Sequence, residues 1–167
     1  FMKNFDIWAS ILSSEYANTI LIKLSFFTSL IGGTIPMISI GLIIGLYFMY
    51  KHKWRRGTIM LFSILSTSAS VLFLKEIFLR TRPNNALQIL TDPSFPSGHA
   101  ALSAAFFLSL GYIIVPKIKN WVKRESVIVL CFLCPFLIGL SRIILNVHWA
   151  SDVIAGWAIG IFLSTGG

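Results

Sequence analysis

Four long apolar runs leave this chain few ways to fold. They cover residues 33–50, 57–79, 99–115 and 126–145, the third ending just before Pro116. A fifth run, 149–164, is shorter but nearly free of charge. A helix needs about 20 mostly apolar residues to cross the hydrocarbon of a bilayer. Inside that hydrocarbon a backbone must satisfy its own polar groups, which a helix does. The expected fold class is therefore all-α: a polytopic membrane bundle of five to six helices, organised as one domain over residues 1–167.

Composition supports the same solvent. The chain is 56% hydrophobic and 12% charged, with a mean hydropathy of +0.81. Soluble domains carry about a quarter charged residues. The net charge of +8 does not point to nucleic acid, because the basic residues are clustered between apolar runs rather than spread over a polar face. Two such clusters, residues 51–56 and 117–125, are expected on the cytoplasmic side. Two passes separate them, so the loop 80–97 and the turn 146–151 share the opposite face.

The N-terminal stretch 4–30 is of another kind. It mixes Asp6, Glu15, Asn18 and Lys23 with Trp8, Ile11, Leu12, Ile20, Leu21 and Leu24. That pattern predicts one or two amphipathic helices along the interface; a sixth span ending near Leu30 is the competing reading. Phe1, preceding Met2, is set aside as an expression remnant, and no cleavable signal peptide is expected. Cys131 and Cys134 form a C-x-x-C inside an apolar run without a second ligand pair, which reads as two buried thiols rather than a zinc or redox site.

Polar residues at membrane depth are costly and mark function. Lys75, His99, Arg142, His148 and Asp152 all fall toward the face opposite the basic clusters. They belong to three stretches: Lys75-x6-Arg82-Pro83, Pro96-Ser97-Gly98-His99 and Ser141-Arg142-x5-His148-x3-Asp152. Phosphoryl transfer needs positive charge and N–H donors around the equatorial oxygens, an in-line nucleophile and a proton for the leaving oxygen. Ser97 is placed to cap a helix, presenting the N–H groups of Gly98 and His99 to an anion. Lys75, Arg82 and Arg142 are placed to neutralise phosphate. His148 and Asp152, four apart, share a face if a helix begins near His148, so the carboxylate fixes the imidazole tautomer and the other nitrogen attacks phosphorus. His99 serves as acid and then base. Each residue alone has a plainer explanation as a cap, a surface ion pair or a snorkelling cation. Their joint order and placement is what favours chemistry.

These stretches resemble the signature of the type 2 phosphatidic acid phosphatase (PAP2) family, in its bacterial membrane lipid phosphatases. The resemblance runs from about residue 33 onward. It implies an all-helical membrane enzyme that needs no metal or cofactor and forms a phosphohistidine at His148, with His99 as acid and base. It also implies that Lys75, Arg82, Ser97, Gly98 and Arg142 hold the phosphate, with Pro83, Pro96 and Ser141 supporting. The departure from six-span members is at residues 4–30, where amphipathic segments stand in place of a full membrane helix. The expected substrate is a lipid phosphomonoester or a polyprenyl diphosphate, met in the inner membrane with the site facing the periplasm; no nucleic-acid or protein partner is expected. A lipid A phosphatase, a lipid phosphotransferase and a non-catalytic lipid-binding or transport protein are the alternatives.

Outside the signature, Glu76 is expected to pair with Arg80 at i+4, Asp92 to order the approach to Ser97, and His52 to be solvated. Trp149 and Trp157 are assigned to the interface belt and helix packing. The small residues from Ser63 to Ser70 are assigned to close helix contact.

Overall fold

A computed structural model describes residues 2–164. Among these it contains seven α-helices: α1 (Met2–Tyr16), α2 (Thr19–Ile31), α3 (Thr34–Tyr50), α4 (Trp54–Phe78), α5 (Gly98–Ile114), α6 (Trp121–Ile144) and α7 (Ala150–Ser164). A short 3-10 turn (Val115–Lys117) follows α5. All-helical architecture is as expected, and α3 to α7 coincide with the five apolar runs to within a few residues.

Four stretches are long and apolar enough to cross a membrane: Thr19–Tyr50, Trp54–Phe78, Gly98–Lys117 and Trp121–Ile144; α7 is a shorter apolar helix. The chain is thus a multi-pass membrane protein. Large apolar residues such as Ile43, Phe73, Phe132 and Phe162 remain exposed, the pattern of a bundle whose solvent is lipid. Helix α5 is the buried centre, in contact with α3, α4, α6 and α7. Its Leu102, Phe106 and Ile113 join Met37, Met60 and Ile64 in the core.

Small residues set how closely these helices approach. A Cβ added at Gly156 would lie 2.6 Å from the Ser97 carbonyl, and one at Gly160 would strike the Ala101 carbonyl. Gly156-x3-Gly160 thus seats α7 directly on the start of α5, and Asp152 lies one turn earlier on the same stripe. In the small-residue stretch of α4, Ser63 donates to the Leu163 and Ser164 carbonyls at 2.9 Å each, whereas Ser66 and Ser68 bond back to their own helix.

The two basic clusters meet at one end of the bundle. Arg55 donates to the Tyr112 hydroxyl at 3.0 Å, and Lys117 stands 5.5 Å from the Phe48 ring centroid. The loop between α4 and α5 and the turn between α6 and α7 meet at the other end, where Leu87 N donates to Leu145 O and Ser97 N to Asp152 O, both at 3.0 Å.

The N-terminal segment forms two helices, each too short alone for a hydrocarbon layer of about 30 Å at 1.5 Å per residue. Helix α1 turns its polar stripe inward and leaves Phe5, Trp8, Ile11 and Leu12 exposed. Helix α2 is more apolar than an interfacial helix requires. It packs on α6 with Ser25 and Ser29 buried, and the chain changes direction at Gly32–Gly33 before α3 begins.

Cys131 is buried and Cys134 half-buried, both as free thiols within α6. Trp157 stacks on Phe136 and donates to the Pro135 carbonyl at 3.0 Å, a packing role as expected. Trp149 instead caps the loop, donating to Thr81 O at 2.8 Å.

Candidate active site

The non-basic end of the bundle encloses a cavity of about 360 Å³ lined by Lys75, Arg82, Gly98, His99, Arg142 and His148, among others. Five different elements deliver these groups: the end of α4, the loop after it, the start of α5, the end of α6 and the α6–α7 turn. Residues distant in sequence are brought together as the topology predicts. Pro83 and Pro96 are buried beside the cavity in the α4–α5 loop. Ser141 bonds back to the Ile138 carbonyl of its own helix at 2.7 Å.

His148 is 4% exposed. Its Nδ1 lies 2.7 Å from the Ser94 carbonyl, which makes Nδ1 the protonated nitrogen because a carbonyl only accepts. Nε2 then carries the lone pair, 3.3 Å from Arg82 Nη1. Burial pushes the imidazole down to about 4, with Arg82 and Arg142 adding to the shift and Asp152 opposing it. At neutral pH the ring is uncharged.

Asp152 does not hold the imidazole as closely as its spacing suggests. Its Oδ2 is 3.7 Å from His148 Nδ1. Helix α7 begins at Ala150, two residues past His148, and the carboxylate is turned back to cap that helix, accepting from Trp149 N at 3.0 Å. Oδ2 also accepts from the Ser94 hydroxyl and Oδ1 from Arg80, at 2.5 Å each. Ser94 therefore grips both members of the pair, its carbonyl on His148 and its hydroxyl on Asp152.

Ser97 has the extended backbone of an N-cap, but its hydroxyl makes no capping bond. Its Oγ is one of three buried side-chain polar atoms without a partner among the described residues; Arg142 Nε is another. Buried donors are seldom left unpaired, and these two belong to residues expected to hold phosphate. Among the described residues, the one hydrogen-bond partner of the Arg142 guanidinium is the Ser29 hydroxyl of α2; Arg142 is 1% exposed.

Asp92 has a larger part than ordering Ser97. Its carboxylate accepts from Lys75 Nζ at 2.6 Å and from Arg82 Nη2 at 2.9 Å. Partial burial raises its pKa, but Lys75 and Arg82 outweigh that and hold it below the usual carboxylate range. Lys75 is also bonded to the Pro93 carbonyl.

The expected Glu76–Arg80 pair does not form. Helix α4 stops at Phe78 and Leu79 turns left-handed at φ 42°, so Arg80 leaves the helix before i+4 geometry applies. It pairs instead with Asp6 and Asp152, at 2.5 Å each. Sequence reasoning missed Arg80, Asp6 and Ser94. A signal for Asp6 existed: with Ser10, Ser13 and Ser14 it forms a polar stripe at i, i+4, i+7 and i+8 along one face of the helix.

A groove of about 450 Å³ adjoins the cavity, sharing Thr34, Leu90, His99 and Arg142 with it; Phe26, Phe27, Leu30, Ile35 and Pro36 make most of the rest of its wall, with Ser29, Gly33 and Gln88. Among the described residues, no group of three or more His, Cys, Asp and Glu side chains comes together in a form that could hold a metal ion.

Fold and site define a polytopic helical membrane protein with two histidines and three cations around one buried cavity. The chain belongs to the PAP2 superfamily, whose family model matches residues 56–166. Phosphatidylglycerophosphatase B of Bacillus subtilis is 30% identical over 118 residues, 70% of this chain and 58% of that protein. An undecaprenyl-diphosphatase of Sulfolobus acidocaldarius is 36% identical over 74 residues, 44% of this chain and 32% of that one. The crystal structure of a transmembrane PAP2-type phosphatidylglycerolphosphate phosphatase from Bacillus subtilis superposes with a TM-score of 0.86 at 26% identity, covering 97% of this chain and 82% of that one. The alignments thus span less than two thirds of either curated relative's length.

Proposed function

We propose that this protein is a metal-independent lipid phosphate phosphatase, with the site on the extracytoplasmic face of the cytoplasmic membrane. The observation that carries the reading is the orientation of His148. Its Nδ1 is committed to the Ser94 carbonyl, and its Nε2 lies beside Arg82 in a cavity that Lys75 and Arg142 also line.

In the proposed reaction the substrate's phosphate displaces Asp92 from Lys75 and Arg82. Those cations, Arg142 and the N–H groups of Gly98 and His99 take the equatorial oxygens. The Nε2 lone pair attacks phosphorus, the P–O bond to the lipid breaks, and protonated His99 gives its proton to the leaving oxygen. Asp152 balances the charge on the phosphorylated imidazole. Neutral His99 then takes a proton from water as the water oxygen attacks phosphorus. The P–N bond breaks, its electron pair returns to Nε2, and inorganic phosphate leaves. Pro83, Pro96 and Ser141 keep the contributing segments in place.

The substrate is a lipid phosphomonoester or a polyprenyl diphosphate, its chain lying along the apolar groove by Phe26, Phe27 and Leu30 while the headgroup enters the cavity. The names of the Bacillus and Sulfolobus relatives support both classes. The basic clusters at the far end of the bundle support the extracytoplasmic placement.

Phosphate release from purified protein tests this with phosphatidate, phosphatidylglycerophosphate, undecaprenyl diphosphate and lipid A. Turnover of at least one lipid, abolished in His148→Ala, is expected. Near-normal release by that variant contradicts the mechanism, and hydrolysis of none of the panel contradicts the function.

A further inference from the structure

Asp6 is the one buried residue of α1, 2% exposed on a helix whose other charged side chains face outward. It accepts from Ser151 N at 2.9 Å, from the Ser151 hydroxyl at 2.7 Å and from Arg80 Nη2 at 2.5 Å. The other arm of the same guanidinium donates to Asp152 Oδ1 at 2.5 Å. One cation thus sits between two carboxylates, one on the interfacial helix and one beside His148. The Trp149 ring, 5.6 Å from the guanidinium carbon, covers it.

Below Asp6 the same stripe of α1 is fastened to the end of α6 and to the α6–α7 turn. Ser10 donates to Asn146 Oδ1 at 2.8 Å, and Ser13 donates to the Ile143 carbonyl at 3.0 Å. The helix is therefore held independently of Asp6, and Asp6 places a full negative charge on Arg80 that packing of α1 does not require.

We infer that Asp6 is a positioning residue: by sharing Arg80 it limits how much of that positive charge falls on Asp152, and so preserves the negative charge facing His148. The inference rests on the proposed phosphohistidine chemistry only for its kinetic consequence. Other groups facing His148 are Arg82 and Asp92 of the α4–α5 loop, His99 of α5, Arg142 of α6 and Asp152 of α7, with Lys75 of α4 on the same cavity. Changing Asp6 leaves all of these in place. With Asp6 neutral, Arg80 acts undivided on Asp152, and a positive imidazole at His148 is less well balanced.

The test is a histidine titration by nuclear magnetic resonance on 15N-histidine-labelled full chain in micelles, where only three histidines need assignment. Asp6→Asn is expected to lower the His148 titration point by about half a unit, and Arg80→Gln to raise it, because the two variants remove opposite charges. Ser13→Ala, which loosens α1 without touching charge, is expected to leave it unchanged. In phosphate release, Asp6→Asn is expected to lower kcat about threefold, the half-unit shift converted to a rate, with KM changed less than about twofold, and Asp6→Glu to restore much of it. Shifts of the same sign in Asp6→Asn and Arg80→Gln, or no shift in a folded Asp6→Asn, would overturn the inference. Should Arg80→Gln not fold, the Asn and Glu variants at position 6 decide it. Normal turnover by His148→Ala would defeat the phosphohistidine reading yet leave the titration result standing on its own.

Discussion

Single residues here compete for a small number of charges. Asp92 occupies Lys75 and Arg82 in the structure, two of the three cations assigned to the substrate. Asp92→Asn removes that competitor, and inhibition by inorganic phosphate or orthovanadate is expected to tighten by about three- to tenfold, a modest gain because the carboxylate is half-exposed and screened. An unchanged inhibition constant would show that the carboxylate does not contend for the anion. His148 carries a pH signature of its own. Its folded pKa is lowered to about 4 from an ordinary 6.5, so between those values the unfolded chain binds the proton and the folded one does not. Stability is therefore expected to fall as pH drops from 6.5 toward 4. A thermal unfolding series should show the slope, reduced in His148→Gln; an equal slope in both would assign it elsewhere. That Lys75, Arg82, His99, Arg142 and His148 would converge on one cavity was legible at this scale, because phosphate chemistry fixes which residue types must come together. What escaped were the partners. Arg80 could be assigned to Glu76 only while α4 was taken to continue past Phe78, and Ser94 acts on His148 through a backbone carbonyl, which residue type does not encode.

At the scale of elements, the five apolar runs became α3 to α7 with small changes of boundary, because a lipid solvent makes apolar length the dominant signal. Helix α7 starts at Ala150, within a residue or two of the expected start, and there Asp152 is a cap as well as a neighbour of the imidazole. Helix α1 was legible as amphipathic, whereas α2 is more apolar than that reading expects, and which stripe of each faces inward depends on partners in α6 and α7 that no local pattern shows. Helix α7 also carries a sharp packing prediction. Gly160→Val places a side chain against the Ala101 backbone of α5, where overpacking costs about 1–3 kcal/mol or more. A Tm loss of several degrees is expected, with activity lost further because the same helix start carries Asp152. An unaltered Tm would mean α5 and α7 separate more easily than their contact implies.

For the whole molecule, the arrangement divides labour between two ends. The basic clusters gather at one, and the cavity with its apolar groove lies at the other. A single cysteine at Asn84 in a background lacking Cys131 and Cys134 is expected to react with a membrane-impermeant thiol reagent added outside intact cells, and one at Lys119 only after the membrane is opened; the reverse pattern would invert the proposed orientation. The central claim is a covalent bond between phosphorus and His148, and it can be read directly. The full chain is incubated with a lipid substrate bearing labelled phosphate, quenched in alkaline detergent and mapped by mass spectrometry. Label on His148 is expected in the unaltered chain quenched early in turnover, and none in His148→Ala. Turnover by the unaltered chain with label on another residue, or with none captured at any quench time, would contradict the phosphohistidine.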